Sequence, residues 1–166
     1  MLPVIPPILI FAIGNESRGD DALAPLLLRR LDAWLEAGSI AARFELLEDF
    51  QLQVEHAADM VGRELALFID AGLDTPAPYS FYRVQSNTNR PLFSHAITPE
   101  AVLSTYAQVY QQVPPPSFVL CIRGERFELG EPPSPQAEQR LEAAMVFLQE
   151  LLLDAETSSW AARCTA

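Results

Sequence analysis

Six consecutive apolar residues, Ile8 to Ile13, stop at Gly14-Asn15; a short polar loop then leads through Asp20-Asp21 into the apolar pattern Leu23, Leu26, Leu27, Leu31. A run this short and this apolar reads as a strand buried on both faces, and the spacing that follows reads as a helix. A strand, loop and helix in that order commit the chain to an α/β architecture with a largely parallel sheet. Ligand sites on such sheets lie at the carboxyl ends of the strands. Dinucleotide-binding loops at this position are glycine-rich and leave the helix N-terminus free for phosphate. Here Asp20 and Asp21 occupy that electropositive end, where they would repel phosphate and attract a cation.

The remaining elements follow from the same signals. Helix one is predicted from about Asp21 to Glu36, stopping near Gly38, and a second strand over Arg43–Leu47. Leu52–Val61 has helical spacing with Gly62 as its C-cap, and Leu65–Ile69 is a third, buried strand ending in Asp70-Ala71-Gly72. Pro76 and Pro78 separate it from an aromatic strand at Tyr79–Val84. No helix fits between them, and parallel neighbours need a crossover of about a dozen residues, so the fourth strand should run antiparallel to the third. A helix at Pro99–Gln112 is capped by Thr98 with proline at its first position. A fifth strand at Phe118–Ile122 and a last helix from the Ser134 cap to about Asp154 complete the pattern. The expected fold is a three-layer α/β/α sandwich around a mixed five-stranded sheet with one strand antiparallel. Strand one lies between or beside strands two and three, because crossovers are right-handed. Residues 1–154 form a single domain in this reading, and 155–166 a flexible C-terminal tail.

Composition narrows the partners. The 166 residues carry a formal net charge of −11, which disfavours nucleic acid and anionic membrane. No apolar run is long enough to span a bilayer. Met1–Pro7 has no basic region and is broken by prolines, unlike a signal peptide. Two cysteines, Cys121 and Cys164, are too few for a disulfide framework. Cys121, inside an apolar run, reads as a small buried hydrophobe. The expected compartment is the cytoplasm.

Few residues are placed to do chemistry. Asp70 either caps the turn after its strand or is a carboxylate held at the ligand edge of the sheet. Asp21 suits the first turn of a helix on dipole grounds alone, but Asp20 is the better N-cap, which frees Asp21 to point elsewhere. The ends of strands one and three are neighbours, so Asp21 and Asp70 can approach one another. His95 lies in Phe93-Ser-His-Ala-Ile-Thr98, on a connection long enough to reach back to that edge. Two carboxylates and an imidazole are a plausible set for nickel, zinc or iron. Glu16 is a fourth ligand or, better, a solvated loop acid. His56, on an amphipathic segment, reads as a surface residue. There is no Gly-x-Ser-x-Gly, His-Glu-x-x-His, Walker or Cys-x-x-Cys motif.

Gly14-Asn15 followed by Asp20-Asp21, the strand ending Asp70-Ala71, Ser94-His95 before a helix, and the segment Leu120–Ser134 together resemble the hydrogenase maturation proteases, over almost the whole chain to about residue 150. The resemblance implies an aspartyl-type endopeptidase that removes a C-terminal extension from the large-subunit precursor of a nickel–iron hydrogenase after nickel insertion. It carries the family's three metal-contacting positions onto Asp21, Asp70 and His95. The nickel would belong to the precursor rather than reside permanently in this protein. Three departures stand out: Ala22 where the family often has glycine, Glu48–Gln53 where many members are rich in glycine and threonine, and Cys121–Gly124 where many have Gly-x-Gln/Glu-Pro. The rival readings are a non-catalytic metal-site chaperone on the same fold, and a small-molecule hydrolase or nucleotide-binding protein.

Overall fold

The computed structural model describes residues 4–85 and 97–165. Its strands are β1 (Ile8–Ile13), β2 (Phe44–Asp49), β3 (Leu65–Gly72), β4 (Tyr79–Arg83) and β5 (Ser117–Arg123). Its helices are α1 (Leu23–Ala37), α2 (Pro99–Tyr110), α3 (Ala137–Leu153) and α4 (Thr157–Ala162). They form one five-stranded sheet in the order β2-β1-β3-β5-β4. β1 pairs in parallel with β2 and β3, and β3 with β5, while β4 runs antiparallel on the outer side of β5. β4 runs antiparallel to β3, as expected from the short connection, but the two are not neighbours, because β5 lies between them; β1 lies between β2 and β3.

Both faces of the sheet are covered, which explains why β1 is buried along its whole length. On one face Ile8, Ile10, Ala12, Leu67, Ile69 and Leu120 pack in a single cluster with α1, α3 and Trp160 of α4. On the other, Leu9, Phe11, Ile13, Phe68 and Val119 pack against Ala57, Met60 and the α2 residues Val102, Leu103 and Tyr106. The Thr98 hydroxyl accepts the Ala101 N–H at 3.2 Å, so α2 begins as its sequence predicts. Among the described residues no helix is long and apolar enough to cross a membrane.

Several expectations are corrected. The Leu52–Val61 segment is a 3-10 helix over Val54–Met60 rather than an α-helix. Its buried residues, Ala57 and Met60, lie three positions apart, which is the 3-10 repeat. β3 continues past Ile69 to Gly72, so Asp70 belongs to the strand. A 3-10 turn at Gly19–Ala22 precedes α1, which therefore starts at Leu23. The C-terminal segment is not a loose tail: α4 seats Trp160 at 0% exposure, and the indole N–H donates to the Leu151 carbonyl at 2.9 Å. Thr165 then donates its N–H to the carbonyl of Phe81 in β4 at 2.8 Å, while its hydroxyl accepts the Phe81 N–H at 2.9 Å.

Candidate functional site

The four parallel strands end on one edge, and the loops leaving them converge there. The Gly14 N–H donates to the Asp49 carbonyl at 3.0 Å, which fixes the exit from β1 against the end of β2. A Cβ on Gly14 would meet the Asp21 carbonyl oxygen at 2.0 Å, so only glycine lets the start of the helix fold back this closely. The chain then turns through Arg18 N–H to Asn15 carbonyl and Asp21 N–H to Arg18 carbonyl, both 3.0 Å. The Asn15 N–H donates to Asp21 Oδ2 at 2.7 Å. This one bond aims the Asp21 side chain back over the loop.

The two members of the acidic pair have opposite environments. Asp20, expected as the helix N-cap, makes no capping bond; it is turned inward at 0% exposure. Its carboxylate accepts the Glu125 N–H, the Ser134 N–H and the Ser134 hydroxyl, each at 2.7 Å. Burial alone would raise its pKa, but these donors together hold it below the usual carboxylate value. Ser134 correspondingly spends its hydroxyl on Asp20 rather than on capping α3, which has no side-chain cap. Asp20 thus ties the loop after β1 to the loop after β5. Gly124 makes room for this: a Cβ there would meet the Phe127 ring at 2.4 Å and Asp20 Cβ at 3.0 Å.

Asp21 stays half-buried, with burial raising its pKa against the opposing Asn15 N–H and the Arg18 charge. Asp70 lies across from it on β3. Its Oδ1 accepts its neighbour Ala71's N–H at 2.8 Å. Burial is the main force pushing its pKa up to about 7; the Ala71 bond opposes, and the charge of Asp21 adds to the rise. The two carboxyls brought together by sequence reasoning are therefore electrostatic neighbours. Each has one oxygen held by a backbone N–H, and no described residue donates to the other oxygen. Oxygen donors with raised proton affinity and a free lone-pair face suit a divalent cation, which relieves their mutual repulsion. Among the described residues no three His, Cys, Asp or Glu side chains converge on one point. His95, the third member of the expected set, lies outside the described residues.

Two further side chains lie near Asp70. Cys121 sits opposite Asp70 in the β3–β5 register, half-buried, with its thiol 3.0 Å from the Thr75 hydroxyl and its pKa raised by burial. Tyr82 of β4, which nothing in the sequence singled out, has its phenol pushed up to about 12 by burial, then by the charges of Glu100, Cys121 and Asp70. His56 is not a simple surface residue. Its ring packs 4.4 Å from that of Phe11, and its Nδ1 accepts the Gln53 N–H at 2.8 Å. That leaves Nε2 protonated, donating to Asp49 Oδ2 at 3.1 Å. Glu16 pairs with Arg29 on α1, in keeping with a solvated loop acid.

No protein-family model matches this sequence, and no curated protein sequence matches it significantly. Solved structures do. A [NiFe] hydrogenase maturation protease HycI from Thermococcus kodakarensis superposes with a TM-score of 0.67 at 20% identity, over 89% of this chain and 92% of that one. This is the fold of the hydrogenase maturation proteases. The hydrogenase maturating endopeptidase HybD from E. coli gives a TM-score of 0.66 at 21% identity, covering 89% of this chain and 93% of that one. An E. coli endopeptidase solved in solution gives 0.63 at 22%, with the same coverage of both chains. The likeness covers 89% of the chain and is one of fold, as the resemblance in the sequence implied.

Proposed function

We propose that the protein is an endopeptidase that trims the C-terminal extension from the nickel-loaded large-subunit precursor of a nickel–iron hydrogenase, working in the cytoplasm. The observation that carries this reading is the pairing of Asp21 with Asp70, two repelling carboxyls held at the open edge of a maturation-protease fold. Asp21, Asp70 and His95 are assigned to contact the nickel held in the precursor. A metal in that position would polarise the scissile carbonyl toward attack by water. Asp70, whose pKa is pushed up to about 7, is partly protonated at neutrality and gives up that proton when a cation arrives, so a loaded precursor favours the state in which both carboxylates are charged. Cleavage then reports on metal insertion.

The test mixes chelator-treated protein with precursor that has or has not been loaded with nickel, and follows the large subunit by gel mobility. Trimming of loaded precursor alone is the expected result. Trimming of both at comparable rates overturns the metal check. Binding of loaded precursor without a change in its length would make the protein a metal-site chaperone.

A further inference from the structure

The sheet has two edges, and they are treated differently. β4 is closed at its middle by Thr165, which takes both the N–H and the carbonyl of Phe81. Among the described residues β2 pairs only with β1. Among the described residues, no further backbone hydrogen bond reaches residues 45 to 48 from its outer side. A strand paired on one side presents alternate N–H and C=O groups to whatever lies beside it.

A groove runs along that edge. Its first stretch is a cavity of about 460 Å³ between α1 and β2, floored by Leu28, Leu35, Phe44 and Leu46. Its second, about 470 Å³, continues from Arg29 and Glu48, which line both, to Gly14 and Asn15. It therefore ends at the loop whose Asn15 N–H holds Asp21. Phe50, an aromatic ring 68% exposed, stands at this end. The walls are acidic. Arg29 pairs with Glu16 and also feels the charge of Glu48 on β2, whereas Asp32 and Glu36 on α1 have no ion-pair partner among the described residues. Asp32 and Glu36 are one turn apart and line the α1 wall of the groove, so carboxylates flank it on both sides.

We propose that this groove docks an extended, lysine- or arginine-bearing segment of the protein substrate, added as a further strand beside β2 and leading its scissile end to Asp21 and Asp70. The proposal rests on the proteolytic reading above. An unpaired edge supplies main-chain hydrogen bonds to any extended peptide. The apolar floor takes every second side chain, and the unpaired carboxylates select a basic partner over an acidic one. Six residues of β2 offer about 20 Å of edge.

The probe is a short fluorescein-labelled peptide of alternating lysine and valine, with a glutamate–valine peptide and an N-methylated lysine–valine peptide as controls. Anisotropy measures affinity, and amide chemical shifts give the footprint on the wild-type protein. The lysine peptide should shift the amides of residues 44 to 49, and N-methylation should abolish binding. The combined change Asp32→Lys, Glu36→Lys, Glu48→Lys should weaken it by about tenfold or more. The same variant, its fold verified by circular dichroism, should trim precursor with a raised KM and little change in kcat. A footprint elsewhere, or equal binding of the glutamate peptide, overturns the proposal. A footprint on β2 with wild-type protein that trims no precursor sinks the proteolytic reading instead, and leaves β2 as a peptide-docking edge.

Discussion

Replacing Asp70 with asparagine isolates the electrostatic cost built into this edge. Asparagine keeps the shape, and its carbonyl oxygen can still accept the Ala71 N–H, but it carries no charge. In the folded protein Asp70 holds its proton up to about pH 7, against 3.8 for an ordinary carboxyl. A tenfold change in proton affinity corresponds to about 1.4 kcal/mol, so the ionised form costs the fold up to about 4 kcal/mol. Asp70 is half-buried rather than sealed, and solvent screening reduces this to about 2 kcal/mol. The sign follows from linkage. The folded state binds this proton more tightly than the unfolded chain, so the stability it contributes is complete below 3.8 and fades as the pH rises through about 7. Asp70→Asn should match the wild type near pH 4 and exceed it by about 2 kcal/mol near pH 8. Urea unfolding in chelator at a series of pH values measures this directly. A stability difference that stays flat across the range would refute the assignment of a raised pKa to Asp70. Asp21→Asn with Asp70 left intact removes the neighbouring charge and should move the Asp70 transition to lower pH.

Three further outcomes follow from contacts described above. Asp20→Ala strands three donors, the Glu125 and Ser134 N–H groups and the Ser134 hydroxyl, and should cost about 3 kcal/mol or more in denaturant unfolding. Gly14→Ala places a methyl where the Asp21 carbonyl stands, so it should weaken cadmium or nickel binding by calorimetry as well as lower the melting temperature. Trp160→Ala should destabilise by about 3–5 kcal/mol in the same unfolding assay, which a loose tail would not do.

The sheet was legible because its strands announce themselves locally. Ile8–Ile13 and Leu65–Ile69 are apolar throughout, as only strands covered on both faces can be, and the short gap before Tyr79 fixed the direction of β4. The approach of Asp21 to Asp70 followed from topology alone. What stayed hidden depends on partners distant in sequence. Asp20 looks like a cap beside its helix, and its true donors lie 105 and 114 residues away. The 3-10 segment buries Ala57 and Met60, a spacing of three that an α-helix also uses, so its local pattern does not separate the two helices. α4 is six residues long, too short for any periodicity, so Trp160 was its sole signal. The proximity of Tyr82 to Asp70 arises across β5, a neighbour relation that no local pattern encodes.

The inward turn of Asp20 also bears on how fast anything can engage Asp21. The loop from Gly14 to Asp21 is clamped at one end by the Asp49 carbonyl and at the other by bonds from the Glu125 and Ser134 backbone. Its backbone freedom is lost when the chain folds, not when a ligand arrives. A ligand reaching Asp21 therefore meets a finished surface, and its association rate is governed by encounter and by shedding of water rather than by waiting for this loop to order. Cation capture by Asp21 should show a single kinetic phase that scales linearly with cation concentration, without the plateau that a rate-limiting rearrangement of this loop would impose.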